Sequence, residues 1–447
     1  MSSNRQADAR PSPLRAPLLF LAVAVLLLLE GSVSNAMFSG SWNSALALLN
    51  MGLISAVAAL GVNMIWGYGG LFNAGVVGFI GLGGLAPVLI STPQVAGAWA
   101  AGGPRLMLAL AAGLATMVLI WAAAQRLRGL SRGAVVTLVV VAGYVATRML
   151  FDPAVAAIEA NNPAKAGNIG GLGLPVVLSW PVGMVLAAAA AWGIGKVALG
   201  LRSDYLAIAT LGIGEIIVAI LKNEGWLARG VLNITGIPRP VPYELALQSN
   251  PEFVAAAARW GMDAATGSGI YVKLCYAAIF IAVVLTLILL TELALYSPWG
   301  RMMRAIRDNE VAAAAMGKDV TRRHLQLFVL GCAVIGLSGA MMVTLDGLMA
   351  PGGYNPLRYT FLIWVMVIVG GSGNNWGAVL GAILIWFLWI KAEVWGPAAM
   401  AVLTSPLSAG GLRAHLIESA PQMRYLAMGV VLLLVLRFAP RGLLPER

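Results

Sequence analysis

The sequence is short of charge. Only 11% of its 447 residues are Asp, Glu, Lys or Arg, against about 25% in soluble domains. It also holds just two cysteines, Cys275 and Cys332, and two histidines, His324 and His415. Both cysteines lie in apolar runs, and neither histidine has a Cys, His or Asp cluster around it, so neither a disulfide framework nor a metal site is expected. Catalytic signatures are missing. There is no G-x-S-x-G and no H-E-x-x-H, and the phosphate loop G-x-x-x-x-G-K-[ST] fails twice: Gly195-Lys196 is followed by Val197, and Gly317-Lys318 by Asp319. Covalent catalysis and a bound cofactor are therefore not expected. If ATP drives this protein, another chain supplies the nucleotide site.

What is present is apolar length. The chain is 60% hydrophobic, with a mean hydropathy of +0.86. Runs of about 20 apolar residues, enough to cross a ~30 Å hydrocarbon core, recur along it. Backbone polar groups in lipid must be satisfied internally, and the runs are too long and uniform for barrel strands, so an all-α polytopic membrane protein is expected. Crossings are placed near 17–33, 44–65, 67–90, 106–124, 134–150, 174–198, 203–221, 270–295, 324–345, 359–371, 376–391 and 424–438, a count of 10 to 12 helices. Leu18 to Leu29 reads as a retained first helix, since Val33-Ser34-Asn35-Ala36 makes a poor cleavage site. Two segments rich in glycine, Gly67 to Gly84 and Gly370 to Gly381, are expected to break or re-enter, with hinges at Gly69, Gly70, Gly75, Gly370, Gly371 and Gly373. Tight helix packing alone would also account for these glycines.

The net charge of +11 is a topology signal. With the N-terminus inside, the inner segments are 1–16, 126–132, 196–204, 296–323 and the tail from Arg437. They carry seventeen Lys and Arg against six acids, the whole excess. Basic residues concentrate on the cytoplasmic side of membrane proteins, so both termini are expected in the cytoplasm and no nucleic-acid partner is implied. The expected division is a tail 1–16, a membrane domain 17–438 with an inner loop 296–323 and outer loops 151–173, 222–269 and 392–423, and a tail 439–447. A short helix from Pro251 to Trp260 is expected within the second outer loop.

Three polar residues in the spans are candidate pathway groups: Asn73, Thr210 and Glu215. Glu215 lies about 17 Å along its helix from Asp204. A carboxylate at that depth is costly and should face protein or water; it is either a gate residue or a structural group bonded to a neighbouring helix. Thr210 and Asn73 are weaker, because Thr can bond its own helix and Asn can cap a break. The loop near 300 is unusual for its polarity. Asp308 or Asn309 can cap a helix over Ala312 to Ala315, with Asp308 and Glu310 at its start and Gly317 as its stop. Arg301, Arg304 and Arg307, three residues apart, lie close to one face. With Met316, this segment reads as a helix that docks on a cytoplasmic motor; an ordinary basic loop is the plainer reading. A transporter driven by an ion gradient, with Glu215 as the ion or proton site, is the rival from another class.

Several stretches together carry a resemblance. They are Leu201-Arg202-Ser203-Asp204-Tyr205-Leu206-Ala207-Ile208-Ala209-Thr210-Leu211-Gly212-Ile213-Gly214-Glu215, the loop from Gly300 to Gly317, Gly370-Gly371-Ser372-Gly373 with Gly377-Ala378-Val379-Leu380-Gly381, and Pro440-Arg441-Gly442-Leu443. The chain resembles the branched-chain amino acid permeases of ABC importers, on the side of the larger, LivM-like paralogue. The resemblance implies the ABC importer permease fold, a loop 296–323 that contacts the ATPase, two ATPase subunits, a second permease and a periplasmic solute-binding protein. It implies a bacterial inner-membrane location and a small polar solute: branched-chain or other amino acids, or in a close branch urea or short amides. The chain departs from the family at Asn73-Ala74-Gly75-Val76, where a Ser-Leu-Gly-His-like run is usual, and in a shortened stretch from Leu232 to Pro238.

Overall fold

The structure is a computed structural model that describes residues 14–35, 37–127, 130–161, 167–405 and 410–446. Most of the expected inner tail 1–16, with Arg5 and Arg10, lies outside the described residues, as do Arg128 and Arg447. The helices are α1 (Arg15–Ser32), α2 (Trp42–Val62), α3 (Val76–Ser91), α4 (Ala96–Arg126), α5 (Leu130–Glu159), α6 (Ser179–Ala198), α7 (Ser203–Asn223), α8 (Gly225–Ala228), α9 (Glu244–Gln248), α10 (Pro251–Arg259), α11 (Ala264–Tyr296), α12 (Pro298–Asp308), α13 (Glu310–Ala315), α14 (Val320–Asp346), α15 (Leu362–Gly370), α16 (Asn375–Leu403), α17 (Gly411–Ser419) and α18 (Met423–Phe438). Ten segments among the described residues are long and apolar enough to cross a membrane, and two shorter apolar helices, Val76–Ser91 and Leu357–Gly370, join them. The chain is a multi-pass membrane protein, as its composition implied.

Local chemistry explains many boundaries. Asn250 caps α10 by accepting from the Glu252 amide at 2.9 Å, with Pro251 in the first turn, where its missing N–H costs nothing. Asn309 caps α13 through the Ala312 amide at 2.9 Å, and Gly317 follows the helix with φ +75°. The short helices expected at both places are therefore observed.

The break expected in 67–90 is present: 68–75 is non-helical and only α3 is regular. Two other expectations need correction. Among the described residues, the segment 392–423 is mostly helical, the end of α16, then α17 and a 3₁₀ turn, because Ala and Val keep the run apolar beyond Glu393 and α16 accommodates Pro397. Likewise α5 continues to Glu159, through the start of the expected loop 151–173.

α14 lies at the centre, packed against α2, α3 and α6, and α16 covers α2 and α15. A two-stranded antiparallel ribbon, β1 (Ile234–Thr235) with β2 (Leu348–Met349), closes one end of this core, pairing Ile234 with Met349. α12 and α13 mark the opposite end. The α4–α5 hairpin packs mainly on itself.

Candidate functional site

Helix α2 ends in a π-helical turn, Asn63–Gly67, and the chain then runs unwound to Gly75. Starting α3 inside the protein leaves its first amides without helical partners. Side chains from the unwound stretch itself and from two other helical segments supply them. The Ala74 N–H donates to Thr210 Oγ1 at 3.0 Å, the Gly75 N–H to Asn73 Oδ1 at 2.9 Å and the Val77 N–H to Thr360 Oγ1 at 3.1 Å. Trp364 of α15 donates its Nε1–H to the Asn73 carbonyl at 3.0 Å and stacks on Phe72 at 4.2 Å. Asn73 and Thr210 thus serve the same break. Their polar atoms hold the break in place. The Gly75 expectation is sharpened: a Cβ there would lie 2.3 Å from the Thr210 carbonyl oxygen.

Glu215 does not join them. The buried side of α7 is Leu206, Thr210, Gly214, Val218 and Leu221. Glu215 is exposed beside Ile208, Leu211 and Ile216, and makes no hydrogen bond or ion pair among the described residues. The partner expected within the chain is absent because helical periodicity turns the carboxylate about 140° away from Thr210.

The second glycine break lies between α15 and α16. Gly371 has φ +117°, a conformation open to glycine, and Asn374 caps α16 through the Gly377 amide at 3.2 Å. The two breaks are joined. The Gly373 N–H donates to Asn63 Oδ1 at 2.8 Å, while Asn63 Nδ2 and the Tyr68 hydroxyl both donate to Asn375 Oδ1, at 3.3 and 3.1 Å. Sequence reasoning missed Asn63, Tyr68, Thr360, Trp364 and Asn375. The two asparagines, polar residues at the edges of apolar runs, were the available signal.

The basic segment sits against this junction. Arg301 donates to the Tyr296 carbonyl at 3.0 Å and Arg304 to the Leu295 carbonyl at 3.2 Å, both at the C-terminal end of α11. Arg307 donates to the Gly67 carbonyl and to Glu446 Oε1 at 3.1 Å. Cations suit helix C-termini, where carbonyls are unpaired and the dipole is negative. All three arginines therefore fasten α12 to the membrane helices. Partial burial disfavours the Arg307 charge, but the Glu446 and Asp308 carboxylates outweigh it and hold its pKa above the usual arginine value. The free face belongs to α13 and its C-terminal end: Val311 is 80% exposed and Met316 79%. A cavity of about 530 Å³ opens beside the junction, lined by Arg15, Tyr68, Glu292, Arg304, Asn375 and Glu446 among others. No group of three or more His, Cys, Asp or Glu able to hold a metal forms among the described residues.

Comparison with known proteins decides the family. The model described as branched-chain amino acid transport system / permease component matches residues 130–436. The chain belongs to this family. The match covers the α7 stretch, the arginine-bearing α12 and the second glycine break, and begins after α2 and α3. This family member is 32% identical over 238 residues to the high-affinity branched-chain amino acid transport system permease protein LivM of Escherichia coli (strain K12), covering 51% of this chain and 53% of that protein. It is 31% identical over 238 residues to the protein of the same name from Salmonella typhimurium, with the same coverage. It is 26% identical over 290 residues to a probable branched-chain amino acid transport permease protein LivM of Methanocaldococcus jannaschii, covering 64% and 73%. The chain spans about half the length of the two bacterial relatives. No solved structure matches it.

Proposed function

We propose that the chain is the membrane-spanning permease subunit of an ATP-driven ABC importer for branched-chain amino acids or a similar small polar solute. It works with two ATPase subunits, a second permease, which is a paralogue or another copy, and a periplasmic solute-binding protein. The α12 end carries the basic excess and lies in the cytoplasm of a bacterial inner membrane, with both termini on that side. One observation carries the reading: α13 and the turn after it hold out Val311 and Met316, apolar side chains beyond the ends of α11 and α14, on a segment that Arg301 and Arg304 fasten to the end of α11 and Arg307 to the turn that ends α2. Apolar groups in that position suit a groove on a soluble protein. The printed names of the relatives supply the solute class.

The pathway then lies where the bare face of α7 meets the second permease, with Glu215 looking into it. A carboxylate cannot face lipid at that depth without a large cost. The glycine breaks at Gly69, Gly70, Gly75, Gly370, Gly371 and Gly373 act as hinges around the clamp of Asn73 and Thr210. The test is co-purification. Changing Val311→Asp and Met316→Asp together leaves the permease inserted and monodisperse but loses the ATPase subunits. If the ATPases still co-elute at wild-type ratio, α13 is not the docking segment. A gradient-driven carrier would bring down no ATPase with the unaltered chain.

A further inference from the structure

We propose that the C-terminal tail is a latch through which α12 moves the α15–α16 hairpin, with Glu446 as the positioning residue that closes it. This rests on the reading of α12 and α13 as the ATPase-docking segment.

The tail is built into the hairpin. The Leu443 and Leu444 amides donate to the carbonyls of Val369 and Gly370, each at 2.8 Å, taking up acceptors that the end of α15 leaves free. Asn374 Nδ2 donates to the Pro445 carbonyl at 3.2 Å, and Leu444 is buried. The backbones touch: a Cβ on Gly442 would lie 2.3 Å from Gly371 Cα. The tail up to Pro445 therefore moves with the turn at 371–374.

One residue further, the tail meets a different body. Glu446 grips Arg307 through both oxygens, Oε1 at 3.1 Å from Nη2 and Oε2 at 3.0 Å from Nη1. The same guanidinium holds the Gly67 carbonyl, the end of the π turn before the first break. A push on α12 thus reaches both breaks through a single side chain. The ion pair is 23% and 34% exposed, so water can replace it at small cost. The neighbouring cavity gives the carboxylate room to leave. The buried bonds of Asn63, Tyr68 and Asn375 behind it keep the two breaks registered to each other.

The test uses the full complex in lipid nanodiscs, with the Glu446→Gln variant. This change keeps every backbone tie of the tail and removes the charge. Assembly and basal ATP hydrolysis stay at wild-type level. Stimulation of hydrolysis by the solute-loaded binding protein falls roughly tenfold, the scale of a typical coupling between sites, and Glu446→Asp recovers part of it. Spin labels at Met316 and Ser372 give a second readout on the permease alone: a narrow distance distribution in the wild type that broadens in Glu446→Gln. Wild-type stimulation together with an unchanged distribution overturns the latch. If the unaltered complex shows no stimulated hydrolysis, the importer reading falls instead, and the distance measurement still decides whether Glu446 ties the two bodies.

Discussion

Helices α2 and α14 and helices α4 and α5 look alike in sequence and differ in fate. The spans containing α2 and α14 have mean hydropathies of 2.1 and 2.1, and those of α4 and α5 have 2.2 and 2.0. Yet the first two are 83% and 89% buried in protein and the second two 11% and 0%. Hydropathy reports compatibility with lipid, and lipid is as apolar as a protein core, so it does not report burial. Close approach does. A Cβ on Gly83 would lie 1.8 Å from the Gly336 carbonyl oxygen, and one on Gly339 2.0 Å from that of Ile80. The α4–α5 hairpin spends its small residues inward, Gly143 against Thr116 and Gly102 against the Ala154 carbonyl, and leaves Leu114, Met117, Leu138 and Met149 bare.

The sharpest way to break this contrast is to put bulk where backbones touch. Gly339→Leu should yield no monodisperse protein in detergent. Overpacking costs about 1–3 kcal/mol or more even where side chains can give way, and here the obstacle is main chain. Gly133→Leu on α5, with open space around it, should melt within roughly 0.5 kcal/mol of wild type. Equal behaviour of the two variants on thermal size-exclusion would refute the packing account.

Ion pairs extend the comparison. Lys391 of α16 pairs with Glu30 of α1, both buried, and Ser39 donates to Glu30 Oε1 at 2.6 Å. Lys391→Met strands the carboxylate and should cost about 3–5 kcal/mol. Adding Glu30→Met should restore most of it, a recovery that a double-mutant melting cycle reads directly. At the clamp, Thr360→Val leaves the Val77 amide unpaired and should cost about 1–3 kcal/mol, seen as faster amide exchange at the start of α3. The exposed pair Arg148–Asp152 on the hairpin, at 3.2 Å and about half solvated on each side, should be worth only about 0.3–0.5 kcal/mol. A melting shift for Asp152→Asn as large as that for Lys391→Met would erase the distinction between core and arm.

Much of the architecture was legible. The apolar runs gave the long helices, the stretch from Pro251 gave α10, and Asn309 with Gly317 gave α13. These depend on local composition and on capping within four residues. The loop at 392–423 was misread because a helix can continue past the polar pair Lys391 and Glu393 when apolar residues follow. Of the candidate site, Asn73 and Thr210 were visible as polar residues in apolar runs. That Thr210 would bond the Ala74 amide next to Asn73, 136 positions away, was not.

The sequence by itself determined the solvent of this protein, the α-helical class, the apolar runs that become its long helices and the short polar helix that ends at Gly317. Each follows from residues read in order, since hydrocarbon forces every span to satisfy its own backbone. Only the tertiary structure decided which equally apolar helices lie inside, which side of α7 shows Glu215, and that Arg307 would find Glu446 at the far end of the chain. Those outcomes depend on how helices rotate and slide against one another. Apolar side chains carry no direction, and it is the few glycines and polar caps, acting between distant segments, that fix it.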